Sequence, residues 1–477
     1  MRSFPTSGHD PHAAQRDSAE RQRILSLARP FKLLVALTTT ITTTTMTTLA
    51  LALALGLALA LAPAGSASAQ VRIEITGGEA AALPIAVVPF AEEGVDPGID
   101  IAAIIRANLY RSGLFDPLDP ANHLGTPARF EDVRFRNWRA LGADTLVVGS
   151  IAPLEGGNYR VRYELLDVYA GERITGQRFR VTPAGLRNLA HTISDQVFEA
   201  LIGRPGGFNT RIAYIEEVGP VDAREYRLVV AEADGHRPQT ILTSNEPLMS
   251  PDWSPDGERL AYVSFESGRS SQVFVQDVAS GDRRVVASFP GINGAPAWSP
   301  DGEQLAITLS RGGNPDIYLI DPDGGGSARQ LTSHFGIDTE PTWAPDGESI
   351  YFTSNRGGSP QIYRIPVRGG DAERVTFEGR YNASPSVSDD GRFLAFVHQD
   401  GEGFRIAVQD LDQGFMRVLT EGPLDESPSF SASGSMIAYT RATDAGTELA
   451  TVSVFGRVQG ELTRFENTVR EPDWGPL

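Results

Sequence analysis

Side chains able to do chemistry are present in this chain but dispersed. Beyond the first seventy residues the histidines are His123, His191, His236, His334 and His398, with no H-x-x-x-H spacing and no neighbouring run of carboxylates. No metal-ligand set is spelled out, and each is read as a surface or capped residue. No G-x-S-x-G elbow presents a serine nucleophile. The absence of cysteine removes disulfides, thiolate metal sites and a thiol nucleophile. Asp321-Pro-Asp-Gly opens like a calcium loop, but the later oxygen ligands and the distal Glu are missing. Asp256, Asp301, Asp346 and Asp390 recur in one setting and are assigned to turns. The chain is therefore expected to hold no metal and no cofactor and to have no catalytic centre.

The elements that would position any site come from a repeat. Ser250-Pro-Asp-Trp-Ser-Pro-Asp-Gly257 returns as Pro296-Ala-Trp-Ser-Pro-Asp-Gly302 and Pro341-Thr-Trp-Ala-Pro-Asp-Gly347. Weaker copies begin at Pro385, Pro428 and Pro472, so the anchoring prolines are 45, 45, 44, 43 and 44 residues apart. Each unit reads as a short first strand ending on an aromatic or apolar residue, a Pro-Asp-Gly type turn, a strongly apolar second strand, an alternating third and an outer fourth. A period in the forties with several short strands per unit is the pattern of a β-propeller. Arg211-Ile-Ala-Tyr-Ile215 is a second strand without a first, and Glu471-Pro-Asp-Trp474 is a first strand without a second. Joining them gives six blades, the last closed by the C-terminus. A five-bladed ring with ragged ends is the alternative.

The loops entering the first strands should emerge together on one face around the tunnel. The residues expected to form a protein-binding surface there are Glu246, Pro247, Leu248, Met249, Ile292, Asn293, Asp338, Thr339, Glu340, Tyr381, Asn382, Asp425, Glu426 and Arg470. Leu248, Met249, Ile292, Ile337 and Tyr381 are expected to be exposed there, as apolar anchors inside a polar rim. Six solvated turns are the bland alternative.

Residues 83–205 do not repeat. They read as a small α/β domain, with strands at Leu83 to Phe90, Ala143 to Gly149, Tyr159 to Val168 and Arg173 to Val181. Helical spacing covers Gly98 to Leu114, Phe135 to Leu141 and Pro183 to Ile202, and the propeller is expected over 206–477. The front is basic, then apolar from Leu49 to Ala62. Ala67-Ser-Ala69 before Gln70 predicts a signal peptide over 1–69 cut between Ala69 and Gln70, with an uncleaved anchor as the alternative. Residues 70–82 follow as a tethered strand, Val71-Arg72-Ile73-Glu74-Ile75-Thr76 before Gly77-Gly78. Such a strand can add to another protein's sheet edge or serve as the domain's own first strand. The net charge of −18 argues against nucleic acid, and loss of 1–69 removes six basic and three acidic side chains.

Taken in order, Val71-Arg-Ile, Pro84-Ile-Ala-Val-Val-Pro-Phe90, Glu246-Pro-Leu-Met-Ser-Pro-Asp-Trp-Ser-Pro-Asp-Gly257 and Asn293-Gly-Ala-Pro296 resemble the TolB family, the periplasmic components of the Tol–Pal system. That resemblance covers residues 70 to 477. It implies a non-enzymatic, monomeric two-domain scaffold in the periplasm, not inserted in a membrane after cleavage, serving outer-membrane integrity and constriction at division. It implies that the loop face holds the lipoprotein Pal and that Val71 to Gly78 bind the C-terminal domain of TolA. A propeller-type periplasmic peptidase or lyase, or a ligand-binding propeller, is the alternative.

Overall fold

The computed structural model describes residues 81–477 apart from Val95, Arg269, Asp400, Glu402, Ala445 and 463–466. The leader, the cleavage site at Ala69–Gln70 and the segment Val71–Gly78 lie outside the described residues. The described chain is mainly β: an α/β layer of one sheet and three helices precedes six four-stranded sheets arranged as propeller blades.

In the first layer the strands are β1 (Leu83–Val87), β2 (Ala91–Glu92), β3 (Phe115–Pro117), β4 (Thr145–Pro153), β5 (Tyr159–Asp167) and β6 (Glu172–Val181). They run in the order β3-β1-β4-β5-β6, with β2 beside β4. Pairs β1/β3, β1/β4 and β2/β4 are parallel, whereas β4/β5 and β5/β6 are antiparallel. The helices are α1 (Ile101–Arg111), α2 (Phe135–Ala140) and α3 (Leu186–Ile202). Asp100 caps α1 by accepting from the Ala103 N–H at 2.9 Å, and Gly203 stops α3 at φ 86°. The sequence placed these helices, except that Pro183–Gly185 forms a 3-10 turn ahead of α3. The short strands β2 and β3 were not foreseen, being too brief for any periodicity.

Blade 1 comprises Leu248–Trp253, Arg259–Ser264, Gln272–Asp277 and Arg283–Ala287. Blades 2 to 5 begin with the inner strands Asn293–Trp298, Asp338–Trp343, Tyr381–Val387 and Asp425–Phe430. The closing blade pairs the inner strand Thr468–Trp474 with Arg211–Val218, then Glu225–Glu232 and Gln239–Ser244, in the register Trp474 opposite Ile212. Six blades close, as the orphan half-repeats predict. The turn aspartates do what their setting predicts: Asp256, Asp301, Asp346 and Asp390 each accept the N–H two residues on, at 2.8–3.1 Å.

Every blade-to-blade boundary has its own apolar core. Ala261, Val273 and Val275 of blade 1 pack on Trp298, Leu305 and Ile307 of blade 2, and the same arrangement passes around the ring. The boundary between blade 5 and the closing blade is larger. There Met436, Ala438, Leu449, Ile212, Tyr214 and Trp474 join Ile105, Leu109, Ile193, Val197 and Phe198 of α1 and α3 in one cluster. Close approach requires Gly113, at φ 69°, because a Cβ there would lie 2.5 Å from that of Ser453. The α/β layer is thus seated on the closure of the ring.

Trp474 is buried in that closure and its indole N–H donates to Thr210 Oγ1 at 2.9 Å. Trp474→Ala is expected to lower unfolding stability by about 3–5 kcal/mol, the range for an aromatic deleted from a core. Denaturant unfolding followed by Trp fluorescence and by far-UV dichroism checks this; a loss below about 1 kcal/mol would mean the closure does not carry the ring.

Candidate functional site

All six inner strands carry the same irregularity. The pairing register slips between Met249 and Asp252, Gly294 and Ala297, Thr339 and Thr342, Ala383 and Ser386, Glu426 and Ser429, and Arg470 and Asp473. At each slip a non-glycine residue sits in the left-handed region: Ser250, Ala295, Glu340, Ser384, Ser427 and Glu471, with φ between 44° and 54°. A proline follows each one. Residues before proline ordinarily prefer extended backbone, so this bulge is held against local preference, at roughly 1–3 kcal/mol apiece.

The position two before each bulge residue is buried in every blade. Leu248, Asn293, Asp338, Asn382 and Asp425 are 0–1 % exposed. This corrects the sequence reading, which put all five on the binding surface and Leu248 among its exposed anchors. Their side chains tie down the loop that enters the blade. Asn293 Nδ2 donates to the carbonyls of Ser271 and Phe289 at 2.9 and 2.8 Å. Asp338 accepts from Ser354 Oγ at 2.6 Å and from Arg356 at 2.7 Å. Asn382 donates to Gln361 Oε1 and the Glu378 carbonyl, both at 2.8 Å. Asp425 Oδ2 accepts from the Gly422 N–H at 3.2 Å. Leu248 packs apolar in the equivalent slot.

What reaches solvent on this face is a different set. Met249, Ile292 and Ile337 are exposed as expected, at 39, 51 and 48 %. Phe335 and Phe377, at 85 and 72 % exposed, are the largest apolar groups there, and the sequence reading missed them. Each lies in the stretch leaving an outer strand, ahead of Gly336 or Gly379. Phe335 rests against the His334 ring at 4.2 Å and Phe377 under the Arg374 guanidinium at 5.1 Å, which limits how far they sample. Glu246 and Glu426 are exposed; Pro247, Thr339, Glu340, Tyr381 and Arg470 are half-buried. Around the tunnel mouth, Glu471 accepts from the Ser250 N–H, Glu340 Oε2 accepts from the Ser384 N–H at 3.0 Å, and Arg470 pairs with Glu217 at 2.9 Å. Enclosure by protein, with Glu340 and Glu426 nearby, holds the Glu471 carboxyl above its ordinary range.

At the other end the tunnel narrows to a cavity of about 180 Å³ lined by Asp252, Trp253, Ser386, Ser429, Asp473 and Trp474. Here the inner strands stitch blade to blade. Asp252 accepts from the Trp298 N–H and Asp473 from the Trp253 N–H, both at 2.7 Å. Ser429 Oγ donates to Asp473 at 3.0 Å and accepts from the Trp474 N–H at 2.9 Å.

Residues 71–174 match the family model of the TolB amino-terminal domain, and residues 198–477 that of the TolB beta propeller domain. The chain belongs to the TolB family. It is 54 % identical over 404 residues to the Tol-Pal system protein TolB of Alkalilimnicola ehrlichii, covering 84 % of this chain and 94 % of the relative. To that of Xanthomonas oryzae pv. oryzae it is 52 % identical over 408 residues, covering 85 and 92 %. The crystal structure of TolB from Acinetobacter baumannii superposes with a TM-score of 0.76 at 38 % identity, covering 83 % of this chain and 98 % of the other.

The TolB amino-terminal and propeller parts of this chain meet at a charged joint that the sequence reading did not assemble. Arg187 of α3 bonds Glu232 at 2.7 Å and also Asp234, both in the closing blade. His191, one turn along α3, is fully buried. The sequence reading took it as a surface or capped residue; it is buried, and its place in the joint depends on partners far downstream in sequence. Its Nδ1 faces Asn108 at 2.9 Å and its Nε2 lies 3.6 Å from Asp234. Burial first, then the Arg187 and Arg111 guanidinium groups, push the imidazole down to about 4 against the pull of Asp234, so it is neutral at pH 7. Although His191, Glu232 and Asp234 could together offer ligand atoms, both carboxylates already hold Arg187.

Among the tunnel-end carboxyls, Asp252 and Asp473 are both pushed above the ordinary range. Enclosure by protein is the main cause, and for Asp252 the second carboxylate adds to it. A carboxyl raised in the folded state favours folding when protonated; that contribution is present in acid and is lost as pH rises through the folded-state value. Asp473→Asn keeps an acceptor for Trp253 and removes the charge. It is expected to melt higher than the parent at about pH 8, with the gap closing toward about pH 5. Melting temperatures across that range check this, and a variant that melts lower at the alkaline end contradicts it.

Proposed function

We propose that this protein is a non-catalytic periplasmic scaffold of the Tol–Pal system. In this reading the loop face holds the peptidoglycan-associated lipoprotein Pal, and Val71–Gly78 binds the C-terminal domain of TolA. The scaffold thereby supports outer-membrane integrity and constriction during division. The relatives described above are named as Tol-Pal system proteins. The carrying observation is the arc of exposed Met249, Ile292, Phe335, Ile337 and Phe377 at the entries to blades 1 to 4, beside an acidic tunnel mouth, on loops of which three are pinned by buried Asn293, Asp338 and Asn382. Apolar anchors on a pre-organised backbone within a polar rim suit a protein partner, because little ordering entropy is lost on docking. No observation favours the peptidase, lyase or small-ligand reading over this one.

The N-terminal segment supports the second half of the proposal by pattern. Val71, Ile73 and Ile75 alternate with polar residues ahead of Gly77-Gly78, as a strand added to a partner's sheet edge requires. For Pal to regulate that strand, it must bind the two states of the segment with different affinity.

Met249→Asp and Phe335→Ala are each expected to weaken Pal by more than about 1 kcal/mol, roughly five- to tenfold in Kd. Calorimetric titration with the soluble domain of Pal measures this, and unchanged affinity in both variants removes Pal from this face. Ile73→Pro takes away an edge donor and is expected to abolish TolA binding while leaving the melting temperature alone. Capture of TolA by that variant at parental strength would end the strand-addition reading.

A further inference from the structure

The far edge of the amino-terminal sheet carries a charge pattern that neither the fold nor the proposed scaffold role uses. Edge strand β6 runs ten residues from Glu172 to Val181, longer than any other strand described, and among the described residues it pairs only with β5. It contains no proline and most of it is exposed. The β5/β6 register sets Arg160 opposite Arg180 and Arg162 opposite Arg178. Strand alternation puts these four arginines on one face, since the intervening Val161 and Tyr163 point into the core on the other. Arg162 is neutralised in part by Glu164 at 2.7 Å, which Arg173 also reaches at 2.7 Å. Arg160, Arg178 and Arg180 are exposed, and their side chains have no hydrogen bond or ion pair with the described residues.

Like charges directly opposite one another across a sheet are destabilising. Two such pairs stand side by side here in a chain whose net charge is −18, so a cationic surface is not the general character of the molecule. Edges are ordinarily blunted by a bulge, a proline or a covering loop; β6 has a register slip near its start, where Leu165 pairs with Thr175 and Leu166 with Arg173, and the regular stretch Thr175–Val181 beyond it contains no proline. We propose that this face docks an acidic, extended segment of a partner protein, added as a strand along the free edge of β6 with alternate carboxylates beside Arg178 and Arg180. Carboxylates at i and i+2 in a strand lie roughly 6.8 Å apart, the same spacing as the two arginines. The guanidinium forks can bind them bidentately, and the backbone of β6 supplies the ladder. A second copy of this chain is a poor occupant, because edge-to-edge pairing would set arginine against arginine. The chain's own Val71–Gly78 offers a single carboxylate, Glu74, beside Arg72.

The probe is a fluorescein-labelled nonapeptide, Thr-Val-Glu-Val-Glu-Val-Glu-Val-Thr, compared with its all-Gln counterpart and with equimolar phosphatidylglycerol–phosphatidylethanolamine vesicles. The purified protein should bind the acidic peptide saturably by anisotropy, and amide exchange along Thr175–Val181 should slow. Arg178→Glu with Arg180→Glu should weaken it about tenfold or more, melt no lower than the parent and leave Pal binding unchanged. The proposal is overturned by absence of saturable binding, by binding without protection of β6, or by full binding in the double variant. Vesicle binding that the double variant loses, with no peptide binding, would reassign the face to an anionic lipid surface and equally overturn it.

Discussion

Ring closure is the constraint on which the rest of this molecule depends. A propeller blade cannot bury both of its faces alone, and here each boundary has a separate core, so no interface substitutes for a missing one. The last boundary is made from both ends of the propeller: the strand Thr468–Trp474 is inserted against Arg211–Val218. Asp473 spans three blades there, accepting from Trp253 of blade 1 and Ser429 of blade 5 while sitting in the closing blade itself. The helices of the amino-terminal layer pack on that same boundary. Closure therefore fixes the ring and, in one apolar cluster, the orientation of the α/β layer on it.

The second recurring device is the left-handed bulge before each inner-strand proline. One such residue is a local accident; six at equivalent positions are part of the architecture. The bulge breaks the ladder between the loop face and the aromatic end of the inner strand. Above it, the residue two positions earlier turns into the blade and anchors the incoming loop. Below it, the next-to-last residue of the strand reaches across to the neighbouring blade, as Asp252, Ser386, Ser429 and Asp473 do. The strain thus separates a presenting end from a stitching end within a single six- or seven-residue strand.

These two devices explain what the sequence could and could not tell. Blade number and closure were legible, because proline spacing and the orphan half-repeats at 211 and 471 are local, periodic signals. So were the helices, whose apolar spacing at Ile101, Ile105 and Leu109 is strong. The inward turn of Asn293, Asp338, Asn382 and Asp425 was not legible, since it follows from a backbone conformation that pre-proline residues normally avoid. Polar residues in a loop read as exposed unless their partners are known, and here the partners are backbone groups and side chains from another strand. Phe335 and Phe377 were missed for the opposite reason: they sit beside outer strands, where an aromatic reads as core. His191 could not be placed because Glu232 and Asp234 reach it only through the fold.

The loop face and the amino-terminal layer share no residues, but both adjoin the closing blade. Its geometry offers a short physical route. Arg187 and His191 of α3 meet Glu232 and Asp234 at one end of the blade's second and third strands. At the other end of the same sheet, Glu217 holds Arg224 and Arg470, next to Glu471 at the tunnel mouth. Proximity alone is not coupling; coupling requires an element with two arrangements that both sites bias. The apolar cluster beneath α1 and α3 is close-packed around Gly113 and Ser453, which makes gradual sliding of the layer expensive. The charged joint adds polar ties beside that core: Arg187 bonds Glu232 and Asp234, and Arg237 bonds Glu232 at 2.8 Å and Asn188 of α3 at 3.1 Å, so two arginines hold the layer to the closing blade.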